Sequence, residues 1–410
     1  MISKTLSNNW PLFFGILLIM IANGLQGTLL GVRAGIEGFS TLTIGVLMSF
    51  YYLGFLGGYF FVPKLVLRVG HIRVFAALAS LASTAVLLHG LFPVPWLWLL
   101  ARAVTGFCYA GLYIVIESWL NQAADNKSRG SILALYLLAS HGGMMLGQFL
   151  LNITDPAQLE LFVLTSVIVS LALLPISLSQ RPAPVIETPD PISLKTLYKT
   201  SPLGVVGMFF NGFGSGTIYG LAPVFAAMVG MSIPQISLFM ASFVFGGITL
   251  TVPIGWLSDH ISRSFVMVSV SILVAISASI CFFIGIESFP ILLLATTLLG
   301  GLCFSTYGLS IAYTNDRLKP SQMLSASSSM ILVNGVGACF GPVLVSLVMS
   351  QFGSTSFFPA IAMIFLGIAL FGLYRVKVGK KVTLENQTDS FLVPVRTSSV
   401  LMRLVKEEIE

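Results

Sequence analysis

Three observations predict an all-α membrane protein of twelve transmembrane helices in two pseudo-symmetric six-helix halves. The first is composition. Of 410 residues, 56% are hydrophobic and only 9% charged, with a mean hydropathy of +0.95, whereas a soluble domain has roughly a quarter of its residues charged. The second is pattern: uninterrupted apolar runs of about 20 residues recur, and because lipid offers the backbone no hydrogen bonds, such runs select helices over a barrel. The third is repetition. Laid over Leu293–Pro342, a shift of 194 residues with no gap, the stretch Leu99–Gln148 is identical at ten of fifty positions, among them Gly106/Gly300, Tyr113/Tyr307, Gly143/Gly337 and Gly147/Gly341. Glycines and a mid-helix tyrosine are where a duplicated backbone is most constrained.

Taken in order, the first run, about 11–31, is longer than a signal peptide's core and lacks a strong basic start, so it reads as a retained span. Runs at 43–63, 73–91, 96–118, 130–152 and 160–179 complete the first half. The second half comprises 203–227, 235–256, 265–286, 290–313, 324–350 and 356–375. Domain limits follow: a half at 1–179, a linker at 180–202 whose prolines 182, 184, 189 and 191 prevent a continuous helix, a half at 203–376 and a tail at 377–410. Asn23-Gly24 recurs as Asn211-Gly212, and Met48 and Gly54 recur as Met240 and Gly246, so the duplication extends beyond the first block.

If the N-terminus is cytoplasmic, the segments on that side collect nearly all the Lys and Arg, from Lys4, Lys64 and Arg68 through Arg129, Lys195, Arg263 and Arg317 to the tail. That bias places both termini in the cytoplasm and makes an even number of spans self-consistent. The net charge of +6 then reflects topology and requires no nucleic-acid partner. Val400, Leu401, Leu404, Val405 and Ile409 recur at roughly helical spacing, which predicts an amphipathic helix on the membrane surface within 391–409.

Chemistry-bearing patterns are few. Cys108, Cys281, Cys303 and Cys339 lie in apolar runs without metal or redox spacing and read as packing residues. There is no phosphate-binding loop, metal cluster or nucleophile constellation, so neither catalysis nor ATP-driven transport is supported, and no cofactor or metal is implied. Arg102 is an arginine within the fourth span, roughly 9 Å from its start at 1.5 Å per residue. A charge there costs about 2.5–3.5 kcal/mol on insertion scales and must face protein or a wet cavity. It either handles solute or protons or bonds neighbouring helices. With it, Asn23, Gln26, Thr105, Tyr109, Tyr113, His141, Asn211, Tyr219, Tyr307 and Asn334 form a mixed polar and aromatic set that would suit a solute cavity; each could also serve as an interhelical partner. Glu117, near the end of the fourth span, reads as a gate or structural residue with Arg129 or Arg73 as partner, ahead of a proton carrier. Gly143 and Gly147, and Gly337 and Gly341, are spaced four apart for close helix packing.

Two six-helix halves joined by a linker resemble the major facilitator superfamily, and three local patterns carry the resemblance. Gly255-Trp-Leu-Ser-Asp259-His-Ile-Ser262-Arg263 is similar to its loop signature G-x-x-x-D-[RK]-x-G-R, whereas the first-half counterpart has Leu67 in place of the aspartate. Arg102-Ala-Val-Thr105-Gly106 is similar to its R-x-x-x-G signature. Gly337-x-x-x-Gly341-Pro342 resembles the antiporter motif, displaced from its usual fifth span, where Gln148 replaces the proline. Ile116-Glu117-Ser118, Arg129-Gly130, Leu146-Gly147-Gln148, Tyr219-Gly220-Leu221 and Pro253-Ile254-Gly255 look like the YcaD-type branch, whose members are bacterial inner-membrane transporters.

The resemblance implies secondary-active transport of a small organic solute by alternating access, with halves rocking about a midplane site. Asp259, Arg263, Glu117, Arg129 and Gly130 would then serve conformational gating, and a single chain would suffice. Proton-coupled export, uptake and a non-transporting ligand sensor all remain open: the Gly341-Pro342 pair leans towards export, while the first and seventh spans lack an acid to carry the proton.

Overall fold

The structure, a computed structural model, describes residues 2–124, 128–177 and 192–378. Twelve long helices lie within them. They are α1 (Ile2–Ile36), α2 (Thr41–Val69), α3 (His71–Leu91), α4 (Pro95–Ala123), α5 (Arg129–Leu150), α6 (Glu160–Leu171, resuming at Leu173–Ser177), α7 (Pro202–Met228), α8 (Ile233–His260), α9 (Arg263–Ile284), α10 (Phe289–Asn315), α11 (Pro320–Phe352) and α12 (Phe357–Val378). Eleven have both the length and the mean apolarity of a membrane span. The other, α7, is equally long and uncharged, but six glycines dilute its apolarity.

Three details differ from the sequence reading. The sixth span is broken after Leu171, because Pro175 lacks an N–H and its ring crowds the carbonyl four residues back. Several helices run past their apolar cores, α1 to Ile36 and α2 through Pro63 to Val69. The end of the linker is ordered: Ser193 accepts from the Thr196 N–H at 3.3 Å and opens a short helix, Leu194–Thr200. The amphipathic helix expected within 391–409 and linker residues 180–191 lie outside the described residues.

The described residues divide into two compact units, one on either side of the linker. In the first, α1 packs on α5, α2 on α4, and α3 on both α4 and α6. The second repeats this with every helix number raised by six: α7 on α11, α8 on α10, and α9 on α10 and α12. Even the turns are duplicated. Gly38 (φ +73°) and Gly230 (φ +83°) adopt the left-handed backbone that side chains disfavour. Each precedes a helix start, where Ser40 accepts from the Thr43 N–H at 3.1 Å and the Ser232 N–H donates to Gln235 at 2.9 Å.

Glycine explains which helices pair most tightly. A Cβ at Gly54 would fall on the Ala103 carbonyl oxygen and one at Gly106 on that of Tyr51, so α2 and α4 touch backbone to backbone. Gly246 and Gly300 do the same against Thr297 and Phe243 on α10 and α8. The α1–α5 seam uses Gly24 and Gly147, with Gly143 placed so that a Cβ would lie 2.7 Å from the Leu17 oxygen; the α7–α11 seam uses Gly212, Gly337 and Gly341. Without a strong hydrophobic drive between helices in lipid, such close approach supplies the packing energy. Gln148 adds a polar tie to the first unit, donating to Gly24 O (3.1 Å) and Met144 O (3.3 Å) and accepting from Thr28 (2.5 Å). In the second unit Pro342 stands there, inside an unbroken α11.

Candidate functional site

In the first unit the polar residues of α1, α2 and α4 form one connected cluster. The Asn23 amide donates to the Tyr113 hydroxyl at 2.7 Å and the Tyr51 hydroxyl at 3.2 Å, tying three helices together. The Arg102 guanidinium lies 4.5 Å from the centre of the Tyr51 ring and 3.9 Å from the Met48 sulfur, and the residue is 5% exposed. A cation over a desolvated aromatic face gains about 2 kcal/mol, a large share of its insertion cost. Tyr109 completes the group, its ring 6.2 Å from Tyr51 and 6.1 Å from Tyr113. Tyr51 was not singled out in the sequence, and Met48 only as one of the repeated positions; the signal was there, since both lie on the α2 face that meets Arg102, but only contact reveals which aromatic receives the cation.

The Thr105 hydroxyl donates to the Arg102 carbonyl of its own helix at 2.9 Å. His141, partly exposed on α5, bonds through Nδ1 to Leu137 O at 3.2 Å. Gln26 is buried with neither amide atom hydrogen-bonded. Its register counterpart in the second unit is Gly214, where a Cβ would meet Phe365 of α12 and Cys303 of α10.

Glu117 is fully buried and accepts from the Tyr136 hydroxyl of α5. The sequence suggested Arg129 or Arg73; the phenol was not anticipated, although a buried carboxylate requires a donor and Tyr136 is a polar group within the fifth span. Arg129 is buried at the start of α5, and Gly130 beside it is exposed.

The second unit builds its cluster from amides. Asn334 on α11 donates to the Asn211 side-chain oxygen (2.9 Å) and Met208 O (3.2 Å), while Asn211 donates to Thr306 (2.8 Å) and Cys303 O (2.9 Å) on α10. Asn23 and Asn211 thus occupy equivalent places and each binds the fourth helix of its unit. Tyr219 stacks on Phe304 at 5.2 Å, with ring planes 7° apart, and Tyr307 is buried.

At one end of this unit, buried Arg263 donates to Asp259 (2.8 Å), to Ala312 O (3.1 Å) and to Asp316, linking the ends of α8 and α10 to the start of α9. Asp316 was missed in the sequence; the clue was that the loop arginine needs an acid beyond its own i,i+4 neighbour. Next to it, Arg317 lies 3.5 Å from the Tyr313 ring centre. Burial draws this guanidinium below the ordinary arginine range, and Tyr313 and Asp316 pull it back up.

Duplicated six-helix units with buried polar clusters on their first and fourth helices define a multi-pass helical membrane protein of the transporter class. The family model described as Major Facilitator Superfamily matches residues 12–203 and 204–406. The chain belongs to that superfamily. It is 28% identical over 353 residues to the MFS-type transporter YcaD of Escherichia coli (strain K12 / DH10B), covering 86% of this chain and 91% of the relative. Among solved structures, it resembles the nucleoside transporter NupG (TM-score 0.71, 14% identity, 90% of this chain and 99% of that one). It also resembles a bacterial homologue of the human lysosomal transporter Spinster in an inward-facing, occupied conformation (TM-score 0.74, 16% identity, 92% and 97%). At these identities the structural likeness concerns the fold.

Proposed function

We propose that the protein moves a small organic solute across a bacterial inner membrane by secondary-active alternating access, as a monomer with both termini in the cytoplasm. The observation that carries this reading is the Arg102–Tyr51–Asn23–Tyr113 cluster: a charge buried in a span, set over an aromatic ring whose hydroxyl an amide bridges across three helices. A guanidinium held against an aromatic face within a span can serve an anionic or strongly polar solute, and flanking tyrosines supply flat apolar faces with hydroxyl tips. The amide cluster of Asn211 and Asn334 supplies uncharged donors and acceptors in the other unit. Export is the direction favoured by the Gly341–Pro342 pair, with protons as the driving ion. The buried Glu117–Tyr136 pair supports a structural or gating role for that acid.

Proteoliposomes test the reading. Accumulation of a labelled solute against its gradient, collapsed by a protonophore and lost in Arg102→Ala, is the expected result. Equilibration without accumulation would reduce the protein to a facilitator, and binding without flux would make it a sensor.

A further inference from the structure

The two units differ at one end in a coordinated way. In the second, Arg263 is satisfied by Asp259 and Asp316. The 192-residue register relating α2–α3 to α8–α9 puts Leu67 at the place of Asp259 and His71 at that of Arg263; the 194-residue register relating α4 to α10 puts Gln122 at Asp316 and Trp119 at Tyr313. Both carboxylates are therefore missing, and the sequence holds no acid at all between Glu37 and Glu117.

What remains buried there is a pair of ring nitrogens without hydrogen-bond partners. His71 (5% exposed) lies against Trp119 (3% exposed), ring centres 5.6 Å apart, and neither His71 Nε2 nor Trp119 Nε1 has a hydrogen-bond partner. An indole N–H can only donate, so the site calls for an acceptor. His71 is also the first residue of α3, a helix of 21 residues whose start no side chain caps. Its opening N–H groups and dipole favour negative charge at the same end. Lys64, Arg68 and Arg73 are exposed around it.

We propose that this corner binds the phosphate of an anionic phospholipid, whose oxyanion takes the place that two carboxylates fill in the second unit. A lipid fits better than a free anion because the basic residues alternate with apolar side chains held outward, Leu67 at 64% and Val69 at 46% exposure, which suit acyl chains beside a headgroup.

The test uses the full-length protein delipidated in detergent and titrated with phosphatidylglycerol, phosphatidylcholine or inorganic phosphate. Retained lipid is read by native mass spectrometry and the thermal midpoint by scanning fluorimetry. Phosphatidylglycerol is expected to be retained and to raise the midpoint, with phosphatidylcholine weaker and inorganic phosphate without effect. Trp119→Phe keeps the ring and removes the donor, and is expected to weaken phosphatidylglycerol retention about tenfold. Leu67→Asp restores a carboxylate at an exposed position, where folding is not at stake, and is expected to weaken retention to a similar degree. Retention unchanged in both variants overturns the proposal. Equal stabilisation by inorganic phosphate overturns the lipid assignment in favour of a soluble anion.

Discussion

Replacing Asp316 by Asn is the sharpest test of how the second unit is held together. The Asp316 and Arg263 side chains are each 1% exposed, and the substitution keeps shape while removing the charge that faces the guanidinium. Breaking a buried pair costs about 3–5 kcal/mol when the surviving charge is left uncompensated. Here Arg263 keeps Asp259, whose side chain is 23% exposed, and the Ala312 carbonyl, so the expected loss falls to about 2–3 kcal/mol. The assay is equilibrium unfolding in mixed micelles, run as a double-mutant cycle with Arg263→Gln. A coupling of about 1–3 kcal/mol is expected, because the second substitution removes the charge that the first strands. If Asp316→Asn loses less than about 0.5 kcal/mol, or the two changes are additive, the buried pair does not stabilise the α9–α10 junction and the reasoning fails.

The same geometry sets four further expectations. Asp259→Asn, at the partly exposed partner, is expected to cost under about 1 kcal/mol in the same unfolding assay, clearly less than Asp316→Asn. Arg102→Lys is expected to lose most transport although the charge survives, since an ammonium lacks the planar face that lies over Tyr51; wild-type uptake rates in vesicles would contradict this. Glu117→Gln keeps an acceptor for the Tyr136 hydroxyl and is expected to leave the pH profile of transport unchanged, and a displaced profile would make Glu117 a proton carrier. Gly337→Leu forces a side chain onto the Phe209 carbonyl and is expected to lower the thermal midpoint by the equivalent of about 1–3 kcal/mol, whereas Gly142→Leu, at a position with nothing within 4 Å, is expected to be mild.

Much of the fold was legible because hydropathy is a property of a run of residues and survives errors of several positions. All twelve spans were found that way, and the duplication showed in glycines, which mark where backbones meet irrespective of what surrounds them. The clusters were legible only by half. Asn23, Asn211, Arg102 and Asp259 stand out because a polar group in or beside an apolar run is conspicuous. Their partners are not, and nor is that of Glu117, since Tyr51, Thr306 and Tyr136 have alternative readings as ordinary span residues until the helices are brought together. Asp316 was hidden for a different reason: it lies at a helix end among loop charges, where its burial is set by a neighbour 53 residues earlier. The break in α6 was readable from Pro175 but is invisible to hydropathy, which scores proline as merely neutral.

The glycine seams also bear on how the chain is made. The α1–α5 seam joins residues 123 apart, Gly24 and Gly147, and the α7–α11 seam joins Gly212 to Gly341 across 129. At roughly 5–20 residues per second, a ribosome needs about 6–25 s to deliver the second side of either seam. During that interval α1 has entered the bilayer without its closest neighbour. Its Asn23 amide finds Tyr51 after 28 residues and Tyr113 only after 90. The α2–α4 seam can close earlier, but α1 keeps its notched side open until the fifth helix arrives, and a nascent chain halted after α4 presents to lipid a helix surface shaped for a backbone that has not yet been synthesised.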